Sequence, residues 1–478
     1  MISGFAHLLV SQVATRLVTF TLTLLTARLL TVEAYGLASV QFHLINTIIL
    51  LLSREGFRRG CLRVKEGAGG GLAVQQLLAT TALCLPMGFI VTLATCATVP
   101  RLSQEPIQAQ AVLLQGLAAM VELAAEPLFV LAQTQLRFRL RVAVDASAHV
   151  TKAALILALL RFRLASEVTT LCLAQLAFAT VTLLGYATGY ASEGLAWLAS
   201  HKKAGLRQQA SLGKPQKSLI DWQTLELCKR FTLQACEKLC LAEGSKMVMV
   251  VCQSSYNQGV YGLVVNLGSL VVRTLFQPYE EAAFIAFGRQ QDEKAEKTQA
   301  LRQRLRMLQL MVKGACTAGM LAAAFGPGYA YLALRIAYGI QWSETQAPSV
   351  LALYSVYIAL LAVNGTLEAF QHAVASPSQL TRSNIWLVGF TAAHLALSVG
   401  LVGRMGAVGL ICADACNMVL RIWYSVRFVE QHFSEAGLSA ANWRSLFPSS
   451  RALWAYAGWC SASSAANFQM QITFKYQM

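Results

Sequence analysis

The sequence predicts an all-α, polytopic membrane protein, and three observations carry the prediction. Of 478 residues, 56% are hydrophobic and only 13% charged, about half the charged share of a soluble domain, and the mean hydropathy is +0.51. Apolar runs of about 20 residues, the length that crosses a bilayer as a helix, recur along the chain. The excess of Lys and Arg, net +16, falls mostly in alternate gaps between those runs. In a soluble protein such a charge would suggest nucleic acid. Here it reads as the positive-inside signature of loops on one face of a membrane, so the expected partner is membrane lipid and no nucleic acid.

Twelve spans follow from the apolar runs. The first six cover 8–30, 36–53, 72–99, 107–133, 140–160 and 165–190. After a polar stretch at 191–220, six more cover 225–252, 259–287, 307–332, 348–372, 384–403 and 405–429. Loops after even spans are basic: Arg54, Arg58, Arg59, Arg63 and Lys65 after span 2, Arg137, Arg139 and Arg141 after span 4, and further Lys/Arg groups after spans 6 and 8. Loops after odd spans are poor in them, which places the N-terminus and the even loops in the cytosol.

This order predicts a six-helix lobe at 1–190, a cytosolic basic linker at 191–220, a second six-helix lobe at 221–430 and a divergent tail at 431–478 with at most a partial helix. A short echo supports the duplication. YGLASVQFHLINTIILLLSRE (35–55) and YGLVVNLGSLVVRTLFQPYEE (261–281) share Tyr-Gly-Leu and end in a charged pair at the same distance. Repeat-built transporters place substrate between their halves.

Ionisable residues inside spans are costly and usually face a cavity or a partner. Span 1 carries Arg16 and Arg28; span 4 carries Glu122 and Glu126, one turn apart before Pro127. Span 7 carries Glu237, Lys238, Glu243 and Lys246, and span 8 carries Arg273, Glu280 and Glu281 around Pro278, which removes a helical hydrogen bond. Span 10 carries Asn364 and Glu368; span 12 carries Asp414, Asn417 and Arg421. Interhelical pairing, for example a span 4 glutamate with Arg16, explains any one of them better than it explains the set. The planar fork of arginine suits a phosphate.

In LLSREGFRRGCLR (51–63), Arg54 and Arg58 share a helix face at the cytosolic end of span 2, near the foot of the cavity expected between the lobes. Glu55 with Arg59 forms an i,i+4 pair, and Arg59, Arg63 and Lys65 suit a topology anchor.

Other classes are excluded. No GxxxxGK[ST] is present, and GAGGG (67–71) reads as a turn. Twelve scattered cysteines form no disulfide framework, and Cys236 with Cys240 lack a histidine to complete a metal site. No cofactor, metal or catalytic constellation emerges, so an enzyme is not expected. A cleavable signal peptide is not evident, and the sequon at Asn364 lies inside span 10.

Several stretches resemble the Rft-type ("requiring fifty-three") proteins of the endoplasmic reticulum, within the multidrug/oligosaccharidyl-lipid/polysaccharide exporter superfamily. They are RLVTF (16–20), SREGFRRGC (53–61), ELAAEPLFVLAQ (122–133), EGSKMVM (243–249), NQGVYGLVVNLGSLVVRTLFQPYEE (257–281), VNGTLEAF (363–370) and GAVGLICADACNMVLRI (406–422). The resemblance implies two six-helix lobes that open alternately, a multi-pass protein of the endoplasmic reticulum, and a part in N-glycosylation. The implied ligand is the dolichol-diphosphate-linked mannose/N-acetylglucosamine intermediate, carried from the cytosolic to the luminal leaflet, with a contact to the glycosylation machinery. The family usually ends in two more membrane helices. Here only LWAYAGWCSASSAA is mildly apolar after Arg427, too short to span, so those two helices are in doubt.

Three functions stand. A lipid-linked oligosaccharide translocator would hold the diphosphate with Arg16, Arg28, Arg54 and Arg58, aided by Arg273 and Arg421, with Glu55, Glu122, Glu126, Glu280, Glu281, Asn364 and Glu368 pairing or gating. A non-transporting accessory or scaffold factor would hold the lipid or a partner. An ion-coupled exporter of small cations would need an acidic cavity, which an arginine-rich one does not provide.

Overall fold

A computed structural model of the chain describes residues 21–62, 70–105, 107–212, 222–288, 297–437, 446–448 and 458. Every regular element among them is helical. Besides a single turn at Ile340–Ser343, they are in order α1 (21–29), α2 (Val32–Leu62), α3 (Gly70–Ala82 and Cys84–Leu102), α4 (Ala109–Ala124 and Glu126–Thr134), α5 (Phe138–Arg161), α6 (Glu167–Leu212), α7 (Trp222–Cys252), α8 (Ser255–Gly288), α9 (Lys297–Tyr338), α10 (Ala347–Val374) and α11 (Pro377–Glu435). Nine of them, all but α1 and α7, are long and apolar enough to cross a membrane, as a polytopic membrane protein requires.

The difference from the twelve expected spans has three sources. Residues 8–20 of the first span lie outside the described residues. Helix α7 forms where expected, but Glu237, Lys238, Glu243 and Lys246 deprive it of an apolar stretch long enough to count. Spans 11 and 12 form the single helical run α11, interrupted at Gly406, whose φ of 59° is the left-handed region that favours glycine. The run folds back there: His394 Nε2 and Asp414 Oδ1 lie 2.8 Å apart, whereas 20 residues of straight helix would separate them by about 30 Å.

Other expectations shift as well. Gly70 and Gly71 of the expected turn open α3, and 67–69 lie outside the described residues. Residues 191–212 of the expected linker continue α6; 213–221 lie outside, as does all of the tail's apolar stretch except Gly458.

Caps and hydroxyls keep the backbone satisfied within these apolar helices. Ser376 and Gln379 form a reciprocal capping box at the start of α11. Thr98, Thr182 and Thr366 donate to carbonyls four residues back at 2.8 Å, 2.9 Å and 3.0 Å, which is how hydroxyls enter a membrane helix without orphaned groups. Helix α8 stays continuous across Pro278 because a π-helical turn, Val272–Phe276, directly precedes the proline segment.

The chain divides between two compact units, one of Leu37–Ser254 and one of Met1–Gly36 with Ser255–Met478. The expected boundaries at 190 and 221 differ from these passages, which fall after Gly36 inside α2 and between α7 and α8. In the 37–254 unit, Phe57, Cys84, Phe129, Val144, Tyr186 and Cys228 form a buried core. Gly56 and Gly60 let α2 lie directly against α7, since a Cβ at either would overlap Thr232 or Cys228. In the other unit, Phe287, Leu308, Val312, Leu367, Phe370 and Phe433 form the core, with Phe287 edge-on to Phe370 at 5.1 Å.

In the 37–254 unit three polar contacts near helix ends group even helices with even and odd with odd. Near the end of α2, Arg58 pairs with Glu126 of α4, and Tyr190 of α6 donates to Gln135, just after α4, at 3.1 Å. The loop after α3 meets the end of α7 through Gln104 N and Val250 O at 3.2 Å.

Candidate functional site

A charged cluster sits at one end of the 37–254 unit. Arg54 and Arg58 lie one turn apart on α2. Glu122 and Glu126 lie one turn apart on α4, on either side of the break at Ala125 that precedes Pro127. Equal pitch on facing helices lets two pairs form at once. Arg54 Nη1 donates to Glu122 Oε1 at 2.6 Å and stands 3.8 Å from Glu126 Oε2. Arg58 grips Glu126 with two prongs, Nε to Oε1 and Nη2 to Oε2, the latter at 2.9 Å. Glu126 is 1% exposed and Glu122 9%, so burying these carboxylates without the facing arginines would be costly.

The cluster has an aromatic floor. The Arg58 guanidinium lies 3.9 Å from the centroid of Phe129, and that of Arg141 on α5 lies 5.0 Å from the same ring. Arg141 also approaches Asp145, at 4.0 Å. Bidentate pairing to Glu126 uses one edge of the Arg58 guanidinium, through Nε and Nη2.

A second cluster lies in the other unit. Arg421 donates through Nε and Nη2 to the two oxygens of Glu368, at 2.8 Å and 2.7 Å. Beside it Gln371 donates to Ser383 Oγ at 2.7 Å and accepts from Ser425 at 3.3 Å, tying α10 to both arms of α11. Glu280 of α8 packs against Gly365, where a Cβ would overlap its Oε1. Asn364 is 5% exposed, and its Oδ1 has no hydrogen-bond partner among the described residues.

The remaining expected site residues have separate fates. Arg28 donates through Nε to Ala337 O at 2.6 Å and through Nη2 to Ile336 O, which caps the end of α9. Trp342 fastens the same junction by donating to Ala27 O at 2.8 Å. Glu55 pairs with Arg59 at 2.6 Å as the spacing implies. Arg273 and Glu281 are exposed on α8. Arg16 lies outside the described residues, and the span 4 glutamates pair with Arg54 and Arg58. Glu243 of α7 pairs within its own helix with Lys246 at 2.9 Å.

Sequence reasoning missed a polar stripe on α5. Arg141, Asp145, His149 and Lys152 recur at i, i+4, i+8 and i+11, within about 80° of the helical wheel. The signal was present, but span 5 begins at a basic loop and its charges read as that loop's edge.

A profile of the Rft protein family matches residues 1–477. The "Man(5)GlcNAc(2)-PP-dolichol translocation protein RFT1" of Mus musculus is 31% identical over 447 residues, 90% of this chain and 81% of its own length. The protein of the same name from Xenopus tropicalis is 29% identical, with the same two coverages of 90% and 81%. Among solved structures, a lipid II flippase MurJ in an inward closed conformation aligns with TM-score 0.56 at 10% identity, covering 97% of this chain and 92% of its own. An inward-facing MATE family transporter aligns with TM-score 0.55 at 14% identity, covering 88% and 95%. At such identities these two establish a shared helical transporter fold and no more. By its match along nearly the whole sequence, the chain belongs to the Rft protein family.

Proposed function

We propose that this protein carries a dolichol-diphosphate-linked oligosaccharide from the cytosolic to the luminal leaflet of the endoplasmic-reticulum membrane, as a transporter rather than an enzyme. The observation that carries this reading is the paired Arg54–Glu122 and Arg58–Glu126 cluster over Phe129 in a chain whose relatives bear that activity in their names. A diphosphate arriving at the cluster exchanges with the carboxylates for the arginine forks, so the cationic site is held in place without being exposed as bare charge. Arg421 offers a second fork already held by Glu368. Twelve spans in two six-helix lobes, a cytosolic N-terminus and a contact with the glycosylation machinery complete the reading.

Reconstitution of the purified protein with labelled lipid intermediate tests it: movement faster than in empty vesicles is expected. Arg58→Lys should slow that movement about tenfold, because an ammonium cannot form the two-pronged contact. Movement equal to that in empty vesicles overturns the reading. A second reading, an accessory factor that holds the lipid without moving it, is favoured by the fact that Glu122 and Glu126 already occupy the forks. It requires lipid binding with no movement in the same vesicles.

A further inference from the structure

The Arg54/Arg58 cluster does not account for Lys152. Its Nζ donates to Gln175 Oε1 of α6 at 2.6 Å and lies 5.8 Å from the Phe178 ring. The carboxylate that acts on it is that of Glu122, which lies beyond ion-pair distance and is already paired with Arg54. Gln175 is 8% exposed and neutral, so it orients the amine without cancelling its charge. A cation in the interior of a membrane span with no carboxylate in contact is costly. Lys152 lies 11 residues, about 16 Å of helix, beyond Arg141 on the same face of α5. The polar stripe therefore runs inward from the arginine end and ends at this amine.

Beyond Lys152 the chemistry changes. Leu155 and Leu159 continue the same helix, and with Leu173, Leu176 and Val181 of α6 they line an apolar trough of about 440 Å³. An amine whose carboxylate neighbour, Glu122, is already paired with Arg54, one turn from an open apolar trough, is complementary to a lipid with a phosphate at one end and a hydrocarbon chain at the other. We propose that Lys152 with Gln175 holds a phosphate oxygen of a polyprenyl phosphate-type lipid, and that the trough between α5 and α6 holds the first part of its chain. The choice of a polyprenyl chain rests on the transport reading above; the site itself rests on Lys152 and the trough.

The test is equilibrium binding to the full chain in phosphatidylcholine nanodiscs, read by native mass spectrometry, with polyprenyl phosphate and the matching uncharged polyprenol as probes. Lys152→Gln should weaken polyprenyl phosphate about tenfold relative to polyprenol, and Lys152→Arg should restore most of that ratio. Leu176→Trp, which fills the trough, should weaken both probes. Because both probes are read on one preparation, partial misfolding alters them together and leaves the ratio. An unchanged ratio in Lys152→Gln, or unchanged binding of both probes in Leu176→Trp, overturns the proposal. Lys152-dependent binding without movement in vesicles defeats the transport reading and leaves this site standing. Movement in vesicles alongside an unchanged ratio does the reverse.

Discussion

The two charged clusters use the same arginine–glutamate chemistry with different surplus. In the 37–254 unit, two arginines meet two glutamates across facing helices, above an aromatic ring shared with a third arginine. In the other unit one arginine is taken up by one glutamate through both prongs, and a further glutamate, Glu280, packs against backbone at Gly365. The first cluster has cationic edges to spare, and the second has carboxylate to spare. Charge left bare in hydrocarbon is costly, so each cluster keeps its arginines beside carboxylate partners.

Burial should rank the two. Glu126 has a side chain 2% exposed, whereas that of Glu368 is 22% exposed. Glu126→Ala strands Arg58 and should cost about 3–5 kcal/mol, and Glu368→Ala distinctly less, roughly 1–2 kcal/mol, because water screens the stranded Arg421. Thermal unfolding of both variants in one detergent checks the order, and equal losses would break the contrast. Gly365→Ala is next: its methyl meets Glu280, and the overlap should cost about 1–3 kcal/mol. Adding Glu280→Ala should recover most of that loss, which locates the strain at this contact.

Smaller effects lie outside the clusters. Arg28→Gln removes the donor to the last carbonyls of α9 and should cost about 1 kcal/mol in unfolding while leaving lipid binding unchanged. A clear loss of lipid binding would place Arg28 at the diphosphate site. Arg59→Ala should change stability by only a few tenths of a kcal/mol, since its pair with Glu55 is an exposed i,i+4 contact. A larger loss would extend the cluster by one residue.

Much of this was legible in the chain. Apolar length located nine membrane-length helices among the described residues, with the expected spans 11 and 12 sharing one helical run. The break expected between spans 11 and 12 at 403–405 falls at Gly406. The four-residue spacings of Arg54 with Arg58 and Glu122 with Glu126 announced matched faces. What was not legible was who meets whom. The glutamates face Arg54 and Arg58, Arg28 turns to the carbonyls of α9, and Lys152 finds a neutral amide.

The sequence by itself determined that the chain is helical and membrane-spanning, and which residue types carry charge into the bilayer. Those properties follow from transfer free energy and helical period, both local to a segment of about 20 residues. Only the tertiary structure decided the pairing of those charges, the turn-back of α11 and the meeting of Lys152 with Gln175. Each depends on distances between side chains 20, 23 or 68 residues apart, which helix packing alone determines.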